Sequence, residues 1–387
     1  MLLLFILSSL YFLVYFHRTS TAVLADILML EFGVTAIALG ILSSAYFYPY
    51  ATLQIPIGVM SDTIGARKVI TVFSLVTSLG CAIFALSPNY ELATLGRLLI
   101  GIGASGVYIP ALKILSRVYV KKFATVMGIL FAVGNLGALF SSYPFALTVS
   151  FFGWRETFYV IALFNLIIII IFIYLYLFNE KNKEKFESEK LQLKDLSLLM
   201  KSRNIWLLGF SAFLRYGATM SYQGLWGGPY MIDVYEVSRS FAGFVLLFVG
   251  LGSLVGAPIL GFISDKIGSR KKILIVGGIG FAISWLPFAF KTYSMSFLEL
   301  VFFSFSMGFF GGAGPAAYAL TKESFPLRMT GLASSFLNVF PFLGAAVFQV
   351  LLSYIIDVGY GYQEIFLFCL YTSIVSIFSN LILKEKR

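Results

Sequence analysis

Charged and turn-forming residues divide the chain into twelve apolar segments, at about 2–30, 36–58, 69–87, 91–112, 123–149, 156–178, 204–232, 238–263, 273–290, 295–320, 331–356 and 363–383. Each is close to the roughly 20 apolar residues that a membrane-spanning helix requires. Runs such as 160–178 are unbroken, unlike the ~10-residue alternating stretches of a transmembrane barrel. The pattern therefore predicts an all-α membrane protein with twelve transmembrane helices. One long hydrophilic stretch, 179–203, interrupts it after the sixth span, with seven Lys/Arg and five Asp/Glu. Its Leu191, Leu193, Leu196 and Leu199 are spaced for an amphipathic helix lying on the membrane surface. The expected organisation is a six-helix unit at 1–178, a linker at 179–203 and a second six-helix unit at 204–387.

Composition agrees with the pattern. Of 387 residues 59% are hydrophobic and only 12% charged, and the mean hydropathy is +0.91, against roughly 25% charged residues in a soluble domain. A water-soluble globule is excluded. Residues 1–15 are apolar without a basic n-region or a small-residue cleavage site before the first charges, so a retained first span is expected rather than a signal peptide. His17 is the single histidine and Cys81 and Cys369 the two cysteines, all in apolar segments. That leaves no zinc site, disulfide framework or His-based triad to expect, and no cofactor.

The net charge of +10 and pI near 9.4 suggest nucleic acid until the charges are placed. With the N-terminus inside the cell, 22 of the 28 Lys/Arg fall in 59–68, 113–122, 179–203, 264–272, 321–330 and the C-terminal tail. Arg155, Arg239 and Lys291 remain for the outer loops, and Arg18, Arg97 and Arg215 lie within spans. By the positive-inside rule both termini are expected in the cytoplasm, in the cell (inner) membrane, and the basic pI needs no nucleic-acid partner.

The loop after the second span reads Gly58-Val59-Met60-Ser61-Asp62-Thr63-Ile64-Gly65-Ala66-Arg67-Lys68; that after the eighth reads Gly261-Phe262-Ile263-Ser264-Asp265-Lys266-Ile267-Gly268-Ser269-Arg270-Lys271. Gly, Ser, Asp, Ile, Gly, Arg and Lys recur at an offset of 203, and both copies fall on one side of the membrane. A weaker echo relates Gly153-Trp154-Arg155-Glu156-Thr157-Phe158 to Gly361-Tyr362-Gln363-Glu364-Ile365-Phe366. The chain is a duplicated six-helix unit. In each loop a glycine is expected to let two helices approach, the aspartate to cap a helix N-terminus and the basic residues to anchor to anionic lipid. A solvated turn with topogenic charges is the plainer alternative.

On these residues the GxxxDxxGxRK pattern resembles the signature loop of the major facilitator superfamily, and Gly153-Trp154-Arg155 and Arg97-x3-Gly101 resemble its other landmarks. The resemblance spans the chain. It implies two pseudo-symmetric six-helix bundles and secondary active transport by alternating access, with Asp62, Arg67, Asp265, Arg270 and Arg97 as gating candidates. For Arg97, about 9 Å inside the outer end of span 4 and within snorkelling range, a structural or gating role is expected, with substrate contact as the alternative. Gly101, Gly103 and Gly106 spell GxGxxG, but within an apolar helix they read as close-packing positions rather than a nucleotide loop.

Arg18 lies about 12 Å from Asp26 at the outer end of span 1, and Arg215 about 16 Å from Asn204 at the inner end of span 7, at ~1.5 Å per residue, so both are near mid-membrane. A guanidinium at that depth costs at least ~2.5–3.5 kcal/mol, and neither has a carboxylate three or four residues away. Both sit on the first helix of a half. They are expected to face one anionic substrate, pairing with another helix or with backbone carbonyls being the alternative. Leu214-Arg215-Tyr216-Gly217, and Arg18 lying 44 positions before Asp62, resemble the organophosphate:phosphate antiporter branch, whose two substrate arginines occupy these helices. That branch has a lysine where this chain has Gln54, and a histidine on span 5 where this chain has none. The departure favours a singly charged head group such as a carboxylate over a phosphate dianion.

Other candidate substrate contacts share helical faces with these cations: Tyr11 and Tyr15 before Arg18; Tyr46, Tyr50 and Gln54 on span 2; Thr219, Tyr222 and Trp226 after Arg215. Asn135, Asn338 and Gln349 add polar candidates, and ordinary packing is the alternative for each aromatic. His17 and Asp26 are the candidates for proton coupling; without them the carrier exchanges one anion for another. The expected function is transport of a small carboxylate-bearing metabolite by a monomer, with protons or a counter-anion as co-substrate. The alternatives are a proton-driven exporter of lipophilic drugs and a non-transporting sensor with the same fold.

Overall fold

The computed structural model describes residues 1–177, 193–326 and 329–385. The first half comprises α1 (Leu2–Thr19), α2 (Thr21–Phe32), α3 (Ala36–Thr52), α4 (Gln54–Met60), α5 (Ala66–Leu86), α6 (Tyr90–Ser105), α7 (Tyr108–Val118), α8 (Phe123–Phe140), α9 (Tyr143–Phe152) and α10 (Trp154–Phe172). A helix α11 (Leu193–Lys201) precedes the second half. That half comprises α12 (Arg203–Ser221), α13 (Gly227–Tyr235), α14 (Arg239–Ile267), α15 (Arg270–Phe290), α16 (Phe297–Gly311), α17 (Pro315–Ser324), α18 (Thr330–Asp357) and α19 (Tyr362–Leu381). Among the described residues nine helical runs are long and apolar enough to cross a membrane, or ten if the bent pair α8–α9 forms one span. All-helical architecture is what a chain this apolar requires, because backbone polar groups in lipid must be satisfied within the segment.

The expected linker falls in part, at 179–192 with Leu191, outside the described residues. Of the amphipathic stretch, Leu199 is buried against Ile205, Met329 and Ala333.

Within the first half α1 packs on α8, and α5 on both α6 and α10; within the second, α14 packs on α16, α15 on α19, and α12 on α18. Across the halves α3 lies antiparallel along α18. Asp357 accepts from the Ala36 and Ile37 N–H groups at 2.9 and 3.0 Å, and Asn338 Nδ2 donates to Gln54 Oε1 at 2.8 Å. One end of the bundle therefore holds residues 33–36 and 357; the other, called here the linker end, holds 58–65 and 330. The chain termini are also at the linker end: the Met1 amino group donates to Tyr119 Oη, and Asn204 exchanges hydrogen bonds with the Lys384 backbone.

The repeated loops correct the sequence reading in detail. Gly58 and Gly261 face open space, so neither supplies a close helix approach. The glycines that matter conformationally are Gly65 and Gly268, at φ +100° and +66°, backbone that side-chain-bearing residues rarely adopt. Neither aspartate caps a helix. Asp62 pairs with Lys113 and Asp265 with Arg270, while Ser269 caps α15 by accepting from the Lys272 N–H. The small residues on span 4 do pack as expected: a Cβ on Gly101 would collide with the Tyr46 carbonyl, and one on Gly103 with Thr77 and Phe73.

Candidate functional site

At Ser20 the first span breaks between α1 and α2, and Arg18 sits on the last turn before that break. Its side chain crosses toward the other half and is 5% exposed. Nη2 donates to Tyr50 Oη at 2.7 Å. The guanidinium carbon lies 4.3, 5.0 and 4.7 Å from the ring centres of Tyr15, Tyr50 and Phe342. Nε has no hydrogen-bond partner, and no carboxylate pairs with the group among the described residues. Three aromatic faces attract a cation, but they leave its charge uncompensated.

The enclosure is shared by both halves. Phe342, from α18, packs on Tyr50 at 4.3 Å between ring centres and meets Tyr216 of α12 edge-on at 5.5 Å. Tyr46 stacks on Tyr50 at 5.8 Å and donates to the Val14 carbonyl at 3.1 Å. On the same side Tyr15 meets Tyr11, which stacks on Tyr108. A polar chain runs alongside: Tyr318 Oη donates to Asn338 Oδ1 at 2.7 Å, Asn338 to Gln54, and Gln54 Nε2 to the Tyr50 carbonyl at 2.9 Å. The sequence-derived candidates Arg18, Tyr15, Tyr46, Tyr50, Gln54 and Asn338 thus converge. Sequence reasoning did not assign Tyr216, Phe342, Tyr318 and Tyr108. Tyr216 had one available signal, its place beside Arg215.

The remaining candidates lie elsewhere. Arg215 Nη2 donates to the carbonyls of Phe310 (2.8 Å) and Gly277 (3.4 Å), with Phe281 5.2 Å from its guanidinium carbon. It points into its own half, toward the break between α16 and α17. Tyr222 shares a hydrogen bond with Ser304 and is enclosed by Trp285, Phe288 and Phe366. Trp226 donates to Ser353 Oγ at 3.1 Å. Asn135 donates to the Phe131 carbonyl of its own helix, and Thr219 to that of Arg215. Gln349 donates to the Met220 carbonyl.

His17, next to Arg18, points the opposite way. It is fully buried, with Nε2 3.4 Å from Cys81 Sγ and rings of Phe16 and Phe158 around it. Asp26 is in an ion pair between the halves, with Arg239 Nη2 at 2.6 Å. Arg97 donates from both terminal nitrogens to the His17 carbonyl at 3.2 Å.

The polar contacts of the described residues differ between the two ends. At the end away from the linker, Asp26–Arg239 and the Asp357 bonds to α3 join one half to the other. At the linker end the pairs Lys113–Asp62, Arg270–Asp265 and Arg270–Glu323 each stay within one half. Two surface hollows lie away from Arg18. One of about 490 Å³ is lined by Arg270, Ala319, Lys322, Glu323 and Phe325, and one of about 380 Å³ by apolar residues of α5 and α10.

Chemically the centre offers hydrogen-bond donors and one buried positive charge that no carboxylate among the described residues compensates. The model of the Major Facilitator Superfamily matches residues 7–236 and again 208–387. A probable sulfoacetate transporter from Cupriavidus necator is 24% identical over 317 residues, 76% of this chain and 74% of that protein. A probable L-galactonate transporter from Escherichia coli is 24% identical over 379 residues, 92% of this chain and 83% of that protein. Among solved structures, a mutant of the nucleoside transporter NupG superposes with a TM-score of 0.79 at 14% identity, covering 98% of this chain and 99% of its own.

Proposed function

The chain belongs to the Major Facilitator Superfamily and is a membrane transporter of that type, and from this premise we propose that it carries a small carboxylate-bearing anion by alternating access, with Arg18 as the group that holds the carboxylate. The observation that carries the reading is the state of Arg18: a buried guanidinium between the halves, ringed by Tyr15, Tyr50 and Phe342, its Nε unpartnered and its charge unanswered. An anion arriving there offsets a desolvation cost already incurred. The planar fork suits a carboxylate, and one cation rather than two suits a monoanionic head group. The names of two relatives, a sulfoacetate and an L-galactonate transporter, agree with that class. Tyr15, Tyr50, Gln54 and Asn338 line the substrate body, joined by Tyr216 and Tyr318. Arg215, Tyr222, Trp226 and Asn135 hold structure in this conformation.

Twelve spans follow when the broken pieces are joined: α1–α2, α3–α4, α6–α7, α8–α9, α12–α13 and α16–α17 count as one span each, beside α5, α10, α14, α15, α18 and α19. The charge asymmetry supports an inner-membrane protein with both termini cytoplasmic, a monomer closed in this state on the outer side. On that orientation Asp62, Arg67, Asp265 and Arg270 act in the cytoplasmic gate. Coupling is by anion exchange or by protons, and Asp26, seated at the outer closure, is better placed for a proton than His17.

The test is uptake and binding in proteoliposomes with L-galactonate, sulfoacetate and a panel of monocarboxylates. We expect Arg18→Ala to abolish binding, the loss of several kcal/mol that follows from removing one member of a buried charge pair. Arg18→Lys keeps the charge without the fork and leaves weakened transport. A folded Arg18→Ala protein with parental affinity for the transported anion overturns the reading.

A further inference from the structure

Arg97 is an expensive residue that anion binding does not account for. It is 1% exposed, with no carboxylate beside it, and its Nε has no partner. It lies in α6, and Gly96 next to it lets that helix approach so closely that a Cβ there would stand 2.7 Å from the Phe84 backbone nitrogen. Across on α1, both terminal nitrogens of Arg97 donate to one acceptor, the His17 carbonyl, at 3.2 Å each. That carbonyl belongs to the residue preceding Arg18, in the last turn before the helix breaks at Ser20. Carbonyls at a helix end have lost their intrahelical donors, and Arg97 supplies them.

A second contact reaches the same place. The Arg97 guanidinium carbon lies 5.4 Å from the centre of the Tyr46 ring. Tyr46 is stacked on Tyr50, which accepts from Arg18. Arg97 therefore touches both the backbone from which Arg18 springs and the ring stack on which its head rests.

We propose that Arg97 is the positioning residue for Arg18, fixing the direction of its guanidinium through the His17 carbonyl and the Tyr46–Tyr50 stack, without touching substrate. The inference rests on the reading of Arg18 as the anion-binding group. The second half contains the same device with donor and acceptor exchanged: Arg215, on span 7, donates to the Phe310 carbonyl at the break of span 10. That use of Arg215 leaves Arg18 as the cation facing the partner half.

The experiment takes the full-length protein with ¹⁵N-labelled arginine guanidiniums, Arg18 being assigned from Arg18→Lys, and L-galactonate as the probe anion. In ligand-free Arg97→Met we expect the Arg18 resonances to move. For L-galactonate uptake KM should rise about tenfold or more while kcat stays within about threefold, as for a misplaced binding group. Arg97→Lys, which keeps a donor for the His17 carbonyl, should recover most of both signals. If Arg97→Met does not fold, Tyr46→Leu removes the ring stack instead and should move the same resonances. Unmoved Arg18 resonances in the folded variant, or a fall in kcat with parental KM, overturn the proposal. If L-galactonate is not carried, the ligand-free resonances decide alone. Moved resonances together with parental binding by Arg18→Ala leave the positioning intact and refute the anion reading instead.

Discussion

Three arginines lie within spans, and each solves the problem of a buried charge differently. Arg18 rests on aromatic faces and one phenol, Arg97 spends its donors on a single carbonyl, and Arg215 reaches two carbonyls beside a helix break. Nε is unpartnered in all three, but Arg97 and Arg215 place their terminal donors on carbonyls of their own half, whereas Arg18 is the one that faces the other half. Gly96 and Gly101 let α6 press closely on α5 and α3. Gly101→Ala should therefore be destabilising, because its Cβ would overlap the Tyr46 carbonyl and spans 2 and 4 must separate. Overpacking of this kind costs roughly 1–3 kcal/mol, and a melt in detergent should show a lower midpoint than the parent. An unchanged midpoint would mean that the two helices are not pressed together.

Among the elements, the short tail after α19 does more than end the chain. Leu383 is buried against the linker end of the second half, and the Lys384 backbone is bonded to Asn204. Glu385 accepts from Ser269 Oγ and from the Arg270 N–H, both at 2.5 Å, and from the Lys271 N–H at 3.3 Å. The tail straps span 7 to the repeated loop before span 9. Burial pushes the Glu385 carboxyl up, but these hydrogen bonds outweigh it and hold it below the usual glutamate range. A carboxyl depressed in the folded state adds stability above its unfolded pKa and loses it as pH falls through the folded value. Glu385→Gln should thus melt below the parent at pH 7, and the gap should close as pH falls beneath about 4. A gap that persists in acid would show that the carboxylate charge is not what holds the strap.

For the whole molecule the closed end depends on two carboxylates that reach from one half to the other, Asp26 to Arg239 and Asp357 to the first turn of α3. On the proposed alternating-access cycle, rocking the halves apart breaks both, so weakening one shifts the population toward the other state by as much as the contact distinguishes the two. Spin labels at Asn89 and Ser294, in loops of opposite halves, should gain a longer distance component in Asp26→Asn, and the charge swap D26R with R239D should return it toward the parent. Identical distributions in all three proteins would remove the ion pair from the gate. Orientation is tested separately. A cysteine at Ser188 should react with an impermeant reagent only from the cytoplasmic side and one at Asn89 only from outside; labelling of Ser188 on intact cells would invert the topology.

The sequence by itself determined the helical class, the repeat of the Gly58–Lys68 loop at Gly261–Lys271, the three arginines set within apolar segments and the charge asymmetry of the loops. These are properties of segment length and of charge order along the chain, which lipid converts directly into structure. The direction of each side chain was decided by tertiary packing. A helix apolar on every side carries no polar face to announce where it looks, and successive residues turn by about 100°. So Arg215 and Tyr216, adjacent in sequence, part company: one enters its own half and the other meets Phe342 beside Arg18. Likewise Tyr222 shares the face spacing of Arg215, and His17 neighbours Arg18, yet both are enclosed within a half. Phe342, which closes the ring around Arg18, comes from 324 positions away, and only the antiparallel packing of α3 on α18 brings it there.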